Sequence, residues 1–117
     1  MDSVRRKAMR LCTEVISYFV ENQAKKMQVE LETLSGTITI TVSGYLPARP
    51  NDLEVFIAAL DEPRQPEMDD YYDGLLGGNS LLQGYHLLGA MVDTSKVTYE
   101  NGSLSVHLIR KQQASVV

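Results

Sequence analysis

The stretch MQVELETLSGTITITV, residues 27–42, alternates apolar and polar side chains twice, once on each side of Ser35-Gly36. Met27, Val29 and Leu31 share one face of the first run, and Gln28, Glu30 and Glu32 share the other. In the second run Ile38, Ile40 and Val42 alternate with Thr37, Thr39 and Thr41. A period of two is the period of a strand, because successive side chains point to opposite faces. Two such runs around a Ser-Gly turn predict a β-hairpin with one wet face and one apolar face that needs cover.

The flanks supply candidates for that cover. Upstream the period lengthens to that of a helix. Val4, Ala8, Leu11, Val15 and Phe19 form one stripe, Cys12 and Ile16 widen it, and Ser3 can cap it, so residues 3–25 are expected to be helical. Downstream, GYLPARPN (44–51) reads as a loop. Asn51, with Glu54 three positions on, predicts a capped helix bearing Leu53, Phe56, Ile57 and Leu60, and Pro63 ends it. A second, short helix is expected from Pro66, with Met68, Tyr71, Tyr72, Leu75 and Leu76 on its stripe. The capping box Ser80-x-x-Gln83 opens a third, carrying Leu81, Tyr85, Leu88 and Val92. Val97 and Tyr99, then Asn101-Gly102, then Leu104, Val106 and Leu108 predict a second hairpin.

The expected order is therefore α-β-β-α-α-α-β-β. The economical arrangement is an α/β two-layer sandwich, with the two hairpins forming one sheet and the helices on one face. Residues 1–112 are expected to form a single domain and residues 113–117 a disordered tail.

Composition narrows the function classes. The chain has 117 residues, 44% of them apolar, which is globular rather than disordered composition. No apolar run approaches the roughly 18–20 residues of a membrane span, and MDSVRRKAMRL does not read as a signal peptide. The lone Cys12 fits a reducing compartment, so a cytoplasmic location is expected. The net charge of −4 is uneven: residues 50–95 hold nine acids and one base. That excess argues against nucleic acid and for a protein partner carrying basic residues, or simply for solubility. The one basic cluster, Arg5, Arg6, Lys7 and Arg10, reads as a solvated helix face. Neither a membrane nor a nucleic acid is expected as partner; a protein is, and a homo-oligomer is compatible with the sequence.

The glycines of DGLLGGNSLLQG (73–84) invite a nucleotide reading, and their spacing does not support it. A phosphate-binding loop needs four residues between its glycines and then a lysine; Gly78 and Gly84 enclose five, and Tyr85 follows. No G-x-G occurs, which removes the dinucleotide fingerprint. Gly77-Gly78 instead stop one helix and Asn79-Ser80 start the next. The acids of DDYYDG (69–74) lack the twelfth-position glutamate of a calcium loop, since Ser80 stands there. His86, His107 and Cys12 are too few and too scattered for zinc or a catalytic triad. No metal site and no catalytic residue are expected.

TEVISYFVENQAKKMQVELETLSGTITITVSG (13–44) resembles the start of the histidine-kinase-like ATPase fold (the gyrase, MutL-type or Bergerat fold), in which a helix carrying Glu-x-x-x-Asn runs into a hairpin ending at Asp-x-Gly. LLQGYHLLGAMVDTSKVTYENGSLSVHLIRK (81–111) is similar to its closing helix and hairpin. The resemblance covers about 80 residues and lies mainly in element order and apolar spacing. It places Glu14 at the water-activating carboxylate and Tyr18 where the family keeps its Mg²⁺-binding asparagine. Asn22 lies one turn on. Ser43-Gly44 stand where an aspartate would read adenine, and Gly84 matches one glycine of the closing box. The lid would lie between. A tyrosine hydroxyl is a poor Mg²⁺ ligand, and adenine recognition lacks its carboxylate. The resemblance thus implies a degenerate, bacterial-type signalling module without ATP hydrolysis and without a cofactor. The alternative it implies is a working ATP-Mg-binding anti-sigma-type serine kinase or phosphorelay component, its nucleotide held by Glu14, Asn22, Ser43, Gly44 and Gly84.

Overall fold

The computed structural model describes residues 3–61 and 91–111. Helix α1 (Ser3–Glu21) leads into strands β1 (Met27–Leu34) and β2 (Thr37–Tyr45). Helix α2 (Leu53–Leu60) follows, and strands β3 (Thr94–Glu100) and β4 (Ser103–Arg110) close the described chain. The four strands form one sheet in the order β1-β2-β4-β3, with every neighbouring pair antiparallel.

This corrects the expected fold class. The described elements run α-β-β-α-β-β, with one helix between the strand pairs where three were expected, and the sheet is wholly antiparallel. The class is α+β rather than α/β. The stretches assigned to the second and third middle helices lie in residues 62–90, outside the described residues, except for the end of the third: Met91 and Val92 are not helical. Residues 112–117, which include the expected tail, also lie outside.

Both hairpin turns have positive φ at their two central residues, 51° and 80° at Ser35-Gly36 and 52° and 83° at Asn101-Gly102. That is the type I′ turn, whose twist matches the twist of the strands it joins. Gly102 is required twice over: a Cβ there would lie 2.4 Å from the Tyr45 ring.

Register sets the core. Ile40 pairs with Leu108, Val42 with Val106, and Gly44 with Leu104. Opposite residues of an antiparallel pair share a face, so these side chains form one apolar surface. Leu11, Val15, Tyr18 and Phe19 of α1 and Leu53, Phe56 and Leu60 of α2 bury themselves in the same cluster. Each such side chain contributes roughly 1.5–3 kcal/mol by leaving water. Leu46, Met91 and Val92 complete it. Arg110, on the same face, is also buried and donates from Nη1 to the Met91 carbonyl at 2.8 Å. The Asp93 amide donates to the Ile109 carbonyl at 2.8 Å, which fixes the start of β3 against β4.

Two local expectations also change. Helix α1 ends at Glu21 rather than residue 25. Gln23 takes φ 64°, its amide donates to Val20, and the Ala24 amide donates to Phe19. These bonds make a Schellman stop, which glycine usually fills, so a glutamine there hides the boundary. At α2 the N-cap is Asp52, not Asn51, and no side chain caps the helix. The apolar row of β1 is also less covered than expected. Val29 and Leu31 lie on the helix side of the sheet, opposite Val42 and Ile40, yet are 44% and 46% exposed.

Candidate functional site

Glu14 and Tyr18 of α1 and Asn22, just past its end, follow at four-residue spacing, which places them along one side. Tyr18 is fully buried. Its ring stacks on Phe56 of α2, with centroids 3.9 Å apart and planes within 7°. Its hydroxyl donates to Asp52 Oδ1 at 2.9 Å. The residue at the position of the implied Mg²⁺ ligand is therefore part of the joint between the two helices, with its oxygen already engaged.

Asn22 turns its side-chain amide back on the helix, and Nδ2 donates to the Tyr18 carbonyl at 2.8 Å. It also lines a shallow hollow of about 220 Å³ with Glu21, Gln23, Pro47, Arg49 and Pro50. That is below the ~300–1,000 Å³ of ordinary small-molecule sites. Arg49 there pairs with Glu54 and sits over the Tyr99 ring at 6.0 Å. Glu14 is half-buried on α1.

Ser43 and Gly44 are paired strand residues rather than a loop. Alternation sends the Ser43 side chain to the sheet face opposite the helices, beside Gln28 and Ser105. Gly44 faces the helices, where a Cβ would meet the Lys26 carbonyl at 2.7 Å and Phe19 Cδ2 at 3.3 Å. The absent side chain lets the chain entering β1 pass close to β2. The sheet thus separates the Ser43 side chain from Glu14 and Asn22, while Gly44 lies on their side. Gly84 lies outside the described residues.

The face of the sheet away from α1 and α2 carries a different set of groups. The register sets Glu30 opposite Thr41, Thr41 opposite His107, and His107 opposite Lys96. Thr41 Oγ1 and His107 Nδ1 are 2.8 Å apart and share a hydrogen bond whose donor is set by the imidazole tautomer. Glu30, Glu32, Thr39, Thr41 and His107 line a broad groove of about 610 Å³. Sequence alternation places Thr41 and His107 on outward positions, but they are 66 residues apart and only the register makes them neighbours.

Among the described residues no group of three or more His, Cys, Asp or Glu side chains is arranged to hold a metal ion. Cys12 is buried in the core, and burial pushes its thiol above its ordinary pKa, which keeps it protonated and unreactive. No described helix is long and apolar enough to cross a membrane. Neither a protein-family model nor a curated protein matches the chain.

Proposed function

We propose that the chain is a regulatory protein-interaction module, built on a degenerate form of the histidine-kinase-like ATPase fold, that neither hydrolyses ATP nor holds it tightly. Tyr18 carries this proposal. The position that the resemblance gives to a Mg²⁺-binding amide holds a buried aromatic ring stacked on Phe56 and hydrogen-bonded to Asp52. A hard cation needs an oxygen it can reach, and this oxygen lies inside a packed joint. The closed approach at Gly44 supports the same reading, because there is no room for an adenine-reading side chain on the helix side.

What remains available is surface. The exposed edge of the sheet, which carries Glu30 and Glu32, suits a partner carrying basic residues. Calorimetric titration with Mg-ATP tests the proposal. No binding up to millimolar nucleotide is the expected result, and micromolar binding would overturn it.

A further inference from the structure

We infer that β1 is a docking edge for an extended segment of a partner protein in which basic and apolar side chains alternate. The inference rests on the interaction-module reading and names the surface and the partner's chemistry.

Among the described residues β1 is the end strand of the sheet, and Gln28 through Leu34 are all exposed. Its pairing with β2 runs without a break from Met27↔Gly44 to Leu34↔Thr37, so no bulge spoils the edge, and it contains no proline. In a two-residue hairpin the pair next to the turn exchanges both backbone bonds. Alternation from Leu34↔Thr37 then points the N–H and C=O groups of Glu32, Glu30 and Gln28 at β2. Those of Val29, Leu31 and Thr33 point outward, where an added strand would find them.

The two faces of this edge specify what kind of strand fits. On the helix side, Val29 and Leu31 continue the apolar surface of Val42 and Ile40 but remain nearly half exposed. An incoming strand with apolar residues in register would extend that surface and cover them. On the open side, Glu30 and Glu32 project beside the groove lined by Thr39, Thr41 and His107. Among the described residues neither carboxylate has an ion-pair or hydrogen-bond partner. Residues directly opposite across a new pair would lie about 4.5–5.5 Å apart at Cβ, so lysine or arginine there would meet them.

The same charges argue against a second copy of this chain. Antiparallel self-pairing centred on Glu30 or on Leu31 sets Glu30 against Glu30 or Glu32 of the other copy. Like charges opposite one another destabilise a sheet. The glutamates therefore disfavour those self-pairings at this edge and favour a basic strand.

The test uses the full chain and a blocked eight-residue peptide alternating valine with lysine, with a valine-glutamate peptide as control. Amide hydrogen exchange is followed residue by residue. The lysine peptide is expected to slow exchange at Val29, Leu31 and Thr33, and the glutamate peptide to leave it unchanged. Reversing both charges (Glu30→Lys with Glu32→Lys) is expected to weaken the lysine peptide by roughly tenfold and to admit the glutamate peptide. Leu31→Pro removes an outward N–H without taking a bond from β2 and is expected to abolish binding; if that variant fails to fold, the charge reversal carries the test. Unchanged exchange at β1, equal affinity in the charge-reversed protein, or protection of β1 by raising protein concentration alone would overturn the inference. Such a failure with Mg-ATP still unbound removes this edge and leaves the interaction-module reading standing. Tight Mg-ATP binding removes that reading and leaves the β1 measurements to stand or fall by themselves.

Discussion

Tyr18→Phe separates the two things that Tyr18 does. The ring stays and keeps its stacking on Phe56, while the hydroxyl and its 2.9 Å bond to Asp52 are lost. A hydrogen bond to a charged group contributes about 1.5–3 kcal/mol. Asp52 is only half-buried and remains partly hydrated, so the lower end, about 1.5 kcal/mol, is expected. With about 2.1 cal/mol/K of unfolding entropy per residue, a chain of 117 residues shifts its Tm by roughly 4 °C per kcal/mol, or about 6 °C here. Tyr18→Ala also loses the ring and should cost about 3–5 kcal/mol more than a surface substitution. The chain has no tryptophan, so urea unfolding followed by far-UV circular dichroism is the suitable assay, with the m-value checked for constancy. A double-mutant cycle with Asp52→Ala isolates the coupling, and it is not confounded by a lost helix cap because Asp52 makes no side-chain cap bond. A Tyr18→Phe shift below about 2 °C with no coupling to Asp52 would refute the claim that the hydroxyl is committed to the helix joint. That result would also weaken the argument that its oxygen is closed to a metal.

Gln23→Gly relieves a left-handed residue at the end of α1 and is expected to stabilise by about 0.5–1 kcal/mol; a loss of Cm in urea would contradict the Schellman stop. Gly102→Ala combines φ +83° with a Cβ 2.4 Å from the Tyr45 ring and should destabilise by about 2 kcal/mol or more. In a Tyr45→Ala background only the backbone part should remain, so an unchanged cost there would show that the ring contact is unimportant. Cys12 has a raised folded pKa through burial. The unfolded thiol therefore ionises first, and stability falls as pH rises above the ordinary thiol pKa. Cys12→Ala should remove that part of the alkaline slope, and the native thiol should resist iodoacetamide until the chain is unfolded.

Some of this was plain in the residues. The stripe Ala8, Leu11, Val15 and Phe19 announces α1, and Asn101-Gly102 between alternating runs announces its turn, because side-chain period and positive φ are local matters. The end of α1 was not plain, since Gln23 carries none of glycine's freedom to mark it. The α2 cap is not legible in the sequence, because Asn51 and Asp52 are equally good capping types and the helix starts after Asp52 without a side-chain cap bond. The candidate residues were least legible. Glu14 and Asn22 could be placed on one side of a helix from spacing, whereas the burial of Tyr18 depends on Phe56 and Asp52, more than thirty residues away. Neither His107 nor Thr41 shows in its own neighbourhood that the other is its partner.

The sequence by itself determined which residues alternate at two and which at three or four, and hence the type of α1, α2 and the four described strands. It determined the balance of charge and the glycine spacings, which do not match a phosphate loop. Only the tertiary structure decided that β1 would lie at an edge with Val29 and Leu31 half-covered, that Ser43 would face away from the helices, and that Tyr18 would close the joint between them. Local period is set by bonds within a few residues, but edge, face and burial depend on which distant segment arrives to pack there.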